Sequence, residues 1–134
     1  MIPLVYHPLY SQLDLPSKHR YPINKYRLLY QALQERMKQD PEWESAFHFF
    51  TPQPVTVDEV KMLHDADYVD ALVQGTLPVA KMRRIGFPWS DALITRTLTS
   101  AGGTCLTAKL AVEHGVALHL SGGYHHYCGG FDGG

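Results

Sequence analysis

Apolar residues along this chain alternate between short runs and helical spacings. Residues 3–7 form a short apolar run next to prolines, which predicts a buried first strand. Residues 46–50 (AFHFF) and 116–120 (VALHL) are two further short apolar runs. We expect these runs to be the second and third strands.

Helical spacing fills the stretches between these runs. The first helix is predicted after Asn24, a candidate N-cap, and ends at Asp40-Pro41. Its apolar face consists of Leu28, Leu29, Ala32, Leu33 and Met37. Thr56 and Glu59 have the spacing of a capping box and predict the start of a short helix.

The second half of the chain contains two more predicted helices. Asp65 is expected to cap one that stops at Gly75, and Ser90 to start a long one that stops at Gly115. Residues 76–89, with two prolines and a glycine, are expected to form a loop. The pair Gly102-Gly103 weakens the long helix by about 1 kcal/mol per glycine relative to alanine, and close packing against another backbone would explain it.

The order strand, helix, strand, helices, strand predicts an α/β fold with a parallel, doubly wound sheet and right-handed crossovers. With 134 residues the chain is expected to form one domain with a real hydrophobic core.

Net charge, the first residues and the two cysteines indicate which partners and which cellular location to expect. Twelve Lys and Arg against thirteen Asp and Glu give a net charge of -1. The charges form no basic block, so we expect neither a nucleic-acid nor a membrane partner. The first residues lack the charged start and long apolar stretch of a signal peptide, which predicts a cytoplasmic location. Cys105 is expected to be a buried small hydrophobe, whereas Cys128 is expected to be an exposed thiol.

Residues 121–126 (SGGYHH) carry the candidate chemistry, because they follow the third predicted strand. Ligands of open α/β sheets bind outside the carboxyl ends of the strands. Gly122 and Gly123 allow a close backbone approach, and His125 and His126 offer general acid and base chemistry near neutral pH. The alternative is a solvated loop that holds two histidines. The six scattered histidines are expected to be structural or solvated.

A small metal site is a further alternative. It would combine His125 and His126 with Cys128 and Asp132, since a catalytic zinc takes about three protein ligands and a water. Dinucleotide-binding, P-loop, nucleophile-elbow and HExxH motifs are not present in the sequence.

A set of short motifs resembles the histone deacetylase-like superfamily, specifically its bacterial members related to acetoin utilization proteins and to class IV deacetylases. In chain order the motifs are residues 6–10 (YHPLY), 19–22 (HRYP), 25–29 (KYRLL), 64–69 (HDADYV), 83–90 (RRIGFPWS), 101–104 (AGGT) and 121–126 (SGGYHH).

The resemblance implies a parallel sheet of the arginase-deacetylase type and hydrolysis of N-acetyl amides, on lysine or on small amines. In the family, zinc polarises the acetyl carbonyl and activates a water. Carried over by position, His125 and His126 would be the proton-transfer pair. A basic residue lines the inner end of the acetyl pocket in some relatives. Lys25 is the nearest match and Arg27 its competitor, with an ordinary solvated helix residue as the alternative for either.

The resemblance also implies substrate contacts from Gly123, Tyr124 and Phe131, the last as an aromatic wall of the acyl tunnel. The family's zinc ligands, an Asp-x-His motif and a later Asp, have no counterpart in the sequence. We therefore expect residues 1–134 to be an N-terminal fragment of a deacetylase domain, without a cofactor of its own and inactive alone.

An incomplete sheet has a structural consequence. A strand meant for the sheet interior would expose an unpaired edge and an apolar face. We expect the chain to form a homo-oligomer, including by exchange of elements between copies. The alternative function is thus a structural or interaction module that assembles through this edge.

Overall fold

Three short strands and six α-helices form the regular structure of residues 1–122, the part of the chain that the computed structural model describes. The strands are β1 (Ile2–Val5), β2 (Phe47–Phe50) and β3 (Leu118–His119). The helices are α1 (Lys25–Gln39), α2 (Pro41–Ala46), α3 (Val57–Lys61), α4 (Ala66–Gln74), α5 (Val79–Ile85) and α6 (Asp91–His114). A 3-10 turn, Pro8–Ser11, follows β1.

β1 is the central strand of a parallel sheet with the order β2-β1-β3. Its residues pair in register with β2 from Ile2 opposite Phe47 onward, and Val5 lies opposite His119 in β3. The predicted α/β fold with a parallel sheet is therefore confirmed. β3 is shorter than expected, because only Leu118 and His119 of the apolar run 116–120 are paired with β1.

Two short helices were not predicted. Asp40 does end α1, as expected, but its carboxylate also accepts a hydrogen bond from the backbone N–H of Glu42 (3.0 Å) and starts α2. The expectation of a loop at residues 76–89 is wrong, since α5 lies inside it. The proline and glycine that indicated a loop flank this helix: Pro78 is its N-cap, and Gly86 ends it with φ 87°.

Most predicted helix ends are confirmed. Thr56 and Glu59 form both bonds of the capping box, and Asp65 caps α4 through the N–H of Asp67 (2.9 Å). Asn24 occupies the N-cap position of α1, but its side chain forms no capping bond. Its expected role as a side-chain cap is therefore wrong. The backbone carbonyl of Asn24 accepts the first helical bond instead.

α6 packs against the sheet next to β1. Its glycines Gly102 and Gly103 let the helix approach its neighbours closely. A Cβ on Gly102 would lie 1.8 Å from the backbone oxygen of Gln53, so the helix approaches another backbone as expected. Cys105, three residues further along α6, is exposed. Its expected burial is wrong, because Cys105 lines an open cavity between α6 and the helices α3 and α4.

The hydrophobic core lies under the carboxyl end of the sheet. It is unusually rich in tyrosine, with Tyr6, Tyr10 and Tyr26 buried beside Leu4 and Leu120. Within residues 1–122, none of the helices is both long enough and apolar enough to cross a membrane.

Candidate active site

The chain leaves the sheet at a defined point. Beyond β3, the N–H of Leu120 donates to the carbonyl of Val5 (3.0 Å), which continues the pairing with β1 by one bond. Ser121 is buried, and its hydroxyl is 3.1 Å from that of Ser100 on α6. Gly122 is exposed, and a Cβ there would meet nothing within 4 Å. The SGG segment thus starts at the carboxyl end of β3, where open α/β sheets bind ligands.

Most of the expected site residues lie beyond this point. Gly123, Tyr124, His125, His126 and Phe131 are outside the described residues, as are Cys128 and Asp132 of the alternative metal cluster. Their roles therefore stay predictions. Of the expected catalytic and substrate-binding residues, only Lys25 lies in the described part of the chain.

Lys25 is the first residue of α1, and its ammonium lies over two tyrosine rings. The Nζ atom is 4.9 Å from the ring centroid of Tyr21 and 5.1 Å from that of Tyr26. The hydroxyls of the two tyrosines are hydrogen bonded to each other. Cation–π contacts of this kind hold an ammonium near a fixed position without a carboxylate partner.

The competitor Arg27 lies differently. Its backbone N–H donates to the hydroxyl of Ser11 (3.1 Å), while Arg27 and Lys25 are both exposed residues. Of the two basic residues, Lys25 is the one over the aromatic rings near the carboxyl end of the sheet. That arrangement makes it the better candidate to contact a substrate.

Sequence reasoning missed a pair formed by Tyr10 and His119. The phenol oxygen of Tyr10 is 2.8 Å from Nε2 of His119, and Tyr10 is fully buried. Burial raises the pKa of Tyr10 and lowers the pKa of His119, so both groups are neutral near pH 7. The two residues are 109 positions apart in sequence, and nothing in the local pattern of either one indicates the contact.

Arg96 completes the surroundings of this pair. It is 9% exposed, its Nε donates to the backbone carbonyl of Tyr10 (2.8 Å), and its guanidinium lies 5.3 Å from the ring centroid of Tyr26. Tyr26 therefore contacts two cations, Arg96 and Lys25. These two side chains place positive charge near the carboxyl end of β1.

Two of the scattered histidines have structural roles. Nδ1 of His7 accepts from the N–H of Leu9 (3.0 Å) and caps the 3-10 turn after β1. Nδ1 of His19 accepts from the N–H of Tyr21 (3.1 Å), so its Nε2 donates to the carbonyl of Gly86 (2.7 Å). His19 thereby ties the loop before α1 to the end of α5. Beside it is a cavity of about 560 Å³, lined mainly by residues 11–16 together with Tyr21, Ile23 and Asn24.

Zinc is the metal that the resemblance implies. In residues 1–122, no three His, Cys, Asp or Glu side chains come close enough together to hold a metal ion. This part of the chain does not fit the metal, and we derive no step through zinc from it.

The chain is an α/β protein with an open parallel sheet, and its candidate site begins at the carboxyl ends of the strands. The family model of the histone deacetylase domain matches residues 19–131. This chain therefore belongs to the histone deacetylase family. The matched span includes Lys25, His125 and His126.

An uncharacterized protein of Picosynechococcus sp. (strain ATCC 27264 / PCC 7002 / PR-6) is 44% identical over 132 residues. The alignment covers 98% of this chain and 42% of the relative. The chain thus spans less than half the length of this relative.

Proposed function

We propose that this chain is the N-terminal portion of a zinc-dependent deacetylase that hydrolyses N-acetyl amides, with acetyl-lysine or acetylated small amines as substrates. The observation that carries the proposal is the family match over residues 19–131, which contains the paired histidines. Ser121 and Gly122, at the carboxyl end of β3, support it, since a ligand of an open α/β sheet binds there.

The chain's own residues have distinct parts in this proposal. His125 and His126 take and return protons at the reacting amide, because imidazoles titrate near neutral pH. Lys25 lies at the inner end of the acetyl pocket, and Gly123, Tyr124 and Phe131 contact the substrate. When bound, zinc supplies polarisation of the acetyl carbonyl and activation of water.

We also propose that the chain alone is inactive, since residues 1–122 contain no cluster of metal ligands. The purified 134-residue chain, supplied with zinc, should hold no stoichiometric metal and should not cleave an acetyl-lysine reporter. Zinc-dependent turnover by this chain would contradict its inactivity.

A cytoplasmic location fits the exposed free thiol of Cys105, because reducing compartments preserve such thiols.

The paired histidines can be tested in a chimera in which this chain replaces the matched part of the Picosynechococcus protein. Zinc-dependent release of acetate is expected from the parent chimera. His125→Ala and His126→Ala should each lower kcat about a hundred-fold or more, the usual contribution of general acid–base catalysis.

A matched histidine outside the site serves as the control. His48 in β2 is exposed, and His48→Ala should retain the activity of the parent chimera. If His125→Ala and His126→Ala both retained full activity, the proposed proton-transfer role would be wrong.

The second candidate is a structural or interaction module that forms homo-oligomers through the open edge of β3, including by exchange of elements. The observation in its favour is Leu118, which is 50% exposed on a strand that pairs only with β1 in the described part of the chain. Apolar edge strands pair readily with another chain.

Leu118→Lys tests this assembly, because a charge on an edge strand discourages pairing. The unchanged chain should be oligomeric by light scattering at micromolar concentration, and Leu118→Lys should shift it toward the monomer. Val112→Lys is the control, since Val112 is 88% exposed and belongs to α6 instead of the edge strand β3. A monodisperse monomer of the unchanged chain would refute the assembly.

A further inference from the structure

The cavity between α6 and the helices α3 and α4 has a volume of about 560 Å³. None of its lining residues belongs to the candidate active site. Six Val, Leu and Ile side chains of the lining are only partly buried: Val55, Val60, Leu72, Val73, Ile94 and Leu98. Apolar surface gathered in this way is typical of a site that a partner covers.

Two polar side chains of the lining already have partners close by in the chain. The carboxylate of Glu59 accepts from the backbone N–H and the hydroxyl of Thr56, and the hydroxyl of Thr97 donates to a backbone carbonyl one turn earlier in α6. Between Arg96 and Lys109, α6 has no charged residue. The α6 side of the cavity therefore favours apolar groups over a charged ligand.

The cavity is open, and exposed side chains extend its apolar surface. Met62 is 81% exposed and Leu63 is 67% exposed, and both line the cavity just after α3. Along α6 the lining runs from Ile94 to Cys105, which is about 16 Å or three helical turns. Such a groove matches an amphipathic helix, whose apolar anchors lie at i, i+3, i+4 and i+7.

The two shorter helices give this groove a negative side. Residues 57–74, which include α3 and α4, contain five carboxylates and one ammonium, that of Lys61. Lys61 is paired with Asp70 (2.5 Å). This hydrogen bond raises the pKa of Lys61, and the negative charges of Asp58 and Asp67 act in the same direction. The excess negative charge attracts a cationic partner and repels an anionic membrane surface.

We propose that this cavity is a docking groove for an amphipathic helix of a partner protein, with an apolar face flanked by Lys and Arg. The apolar face covers the aliphatic walls together with Met62 and Leu63. The flanking cations lie against the carboxylates of α3 and α4. The proposal is independent of the deacetylase function, since it uses none of the residues assigned to that function.

Cys105 reports whether the groove is occupied, because it is an exposed free thiol in the lining. Cys128→Ser leaves it as the only cysteine of the chain. The probe is a synthetic helical peptide of leucine and lysine, with leucine at the anchor positions. We expect micromolar binding by fluorescence anisotropy. At saturation the reaction of Cys105 with an aromatic disulfide reagent should be about ten-fold slower or more, since that reaction requires access to the thiol.

The charge of the partner is tested by a peptide with glutamate in place of lysine, which should bind about ten-fold more weakly or worse. Asp58→Asn/Asp67→Asn removes two carboxylates near the groove and should weaken binding of the lysine peptide about five-fold. Glu42→Gln/Glu44→Gln removes two carboxylates from the first turn of α2 and is the matched control. It should bind the lysine peptide as the parent does.

The location of binding is tested on α6. Cys105→Lys places a charge on the apolar wall and should weaken binding about ten-fold or more. Val112→Lys introduces the same charge two turns further along α6, outside the lining, and should match the parent. Circular dichroism checks that the variants fold, and if Cys105→Lys does not, the aspartate variant still decides the proposal.

The results that would overturn the proposal point to other occupants. Equal binding of the lysine and glutamate peptides, or undiminished binding by Cys105→Lys, would show that no cationic helix docks in this groove. Protection of Cys105 that grows with chain concentration, without peptide, would assign the groove to a second copy. Loss of peptide binding in the chimera would assign it to the remainder of the Picosynechococcus protein.

Discussion

Single residues determine how closely the layers of this protein approach each other. At Gly102 the neighbouring atoms belong to the backbone of Gln53, whereas at Gly103 they belong to the side chains of Tyr10 and His119. Side chains can shift more easily than a backbone carbonyl can. The two adjacent glycines are thus required for different reasons, the first for packing and the second for the polar pair.

Gly102→Ala is expected to lower the free energy of unfolding by about 2 kcal/mol, the usual range for an overpacked core. The better helix propensity of alanine offsets only about 1 kcal/mol of the clash. Urea denaturation of both proteins measures the difference. Gly122→Ala is the control and should change stability little, because its Cβ would meet no atom within 4 Å. An unchanged or stabilised Gly102→Ala protein would contradict the contact with Gln53.

At the scale of elements, the correct and the wrong helix predictions both come from residues at helix ends. Capping residues act on their own first turn, so Thr56, Asp65 and Ser90 start helices where the sequence indicates. The helix α5 was missed because its flanking proline and glycine dominate the local pattern. Tertiary contact holds the segment in place: Trp89 Nε1 donates to the carbonyl of Leu72 on α4 (2.7 Å).

At the scale of the whole molecule, folding buries one tyrosine ring and partly buries two histidine rings. Burial lowers the pKa of His7 and of His119 below the usual 6.5, and it raises the pKa of Tyr10. The folded chain therefore binds fewer protons than the unfolded chain just below pH 6.5. Under that condition stability falls as the pH falls.

We expect the free energy of unfolding to decrease from pH 7 toward pH 5, by at most about 1.4 kcal/mol per pH unit for each histidine. Above pH 10 it should decrease again, because the unfolded chain can ionise Tyr10 and the folded chain resists it. Urea denaturation across this range measures both limbs. His119→Gln should weaken the acid limb, whereas the exposed His48→Ala should not. A flat profile between pH 5 and 7 would contradict the lowered pKa values of these partly buried histidines.

The sequence by itself determined the α/β class, the parallel sheet, most helix ends and the family, because these depend on local periodicity, capping chemistry and short motifs. It also indicated the need for close backbone packing at Gly102-Gly103. The tertiary structure alone decided the exposure of Cys105, the helices α2 and α5, and the contact of Lys25 with Tyr21 and Tyr26. The pair of Tyr10 and His119 was likewise beyond sequence reasoning, since its partners are distant in the chain and meet only when α6 packs on β1.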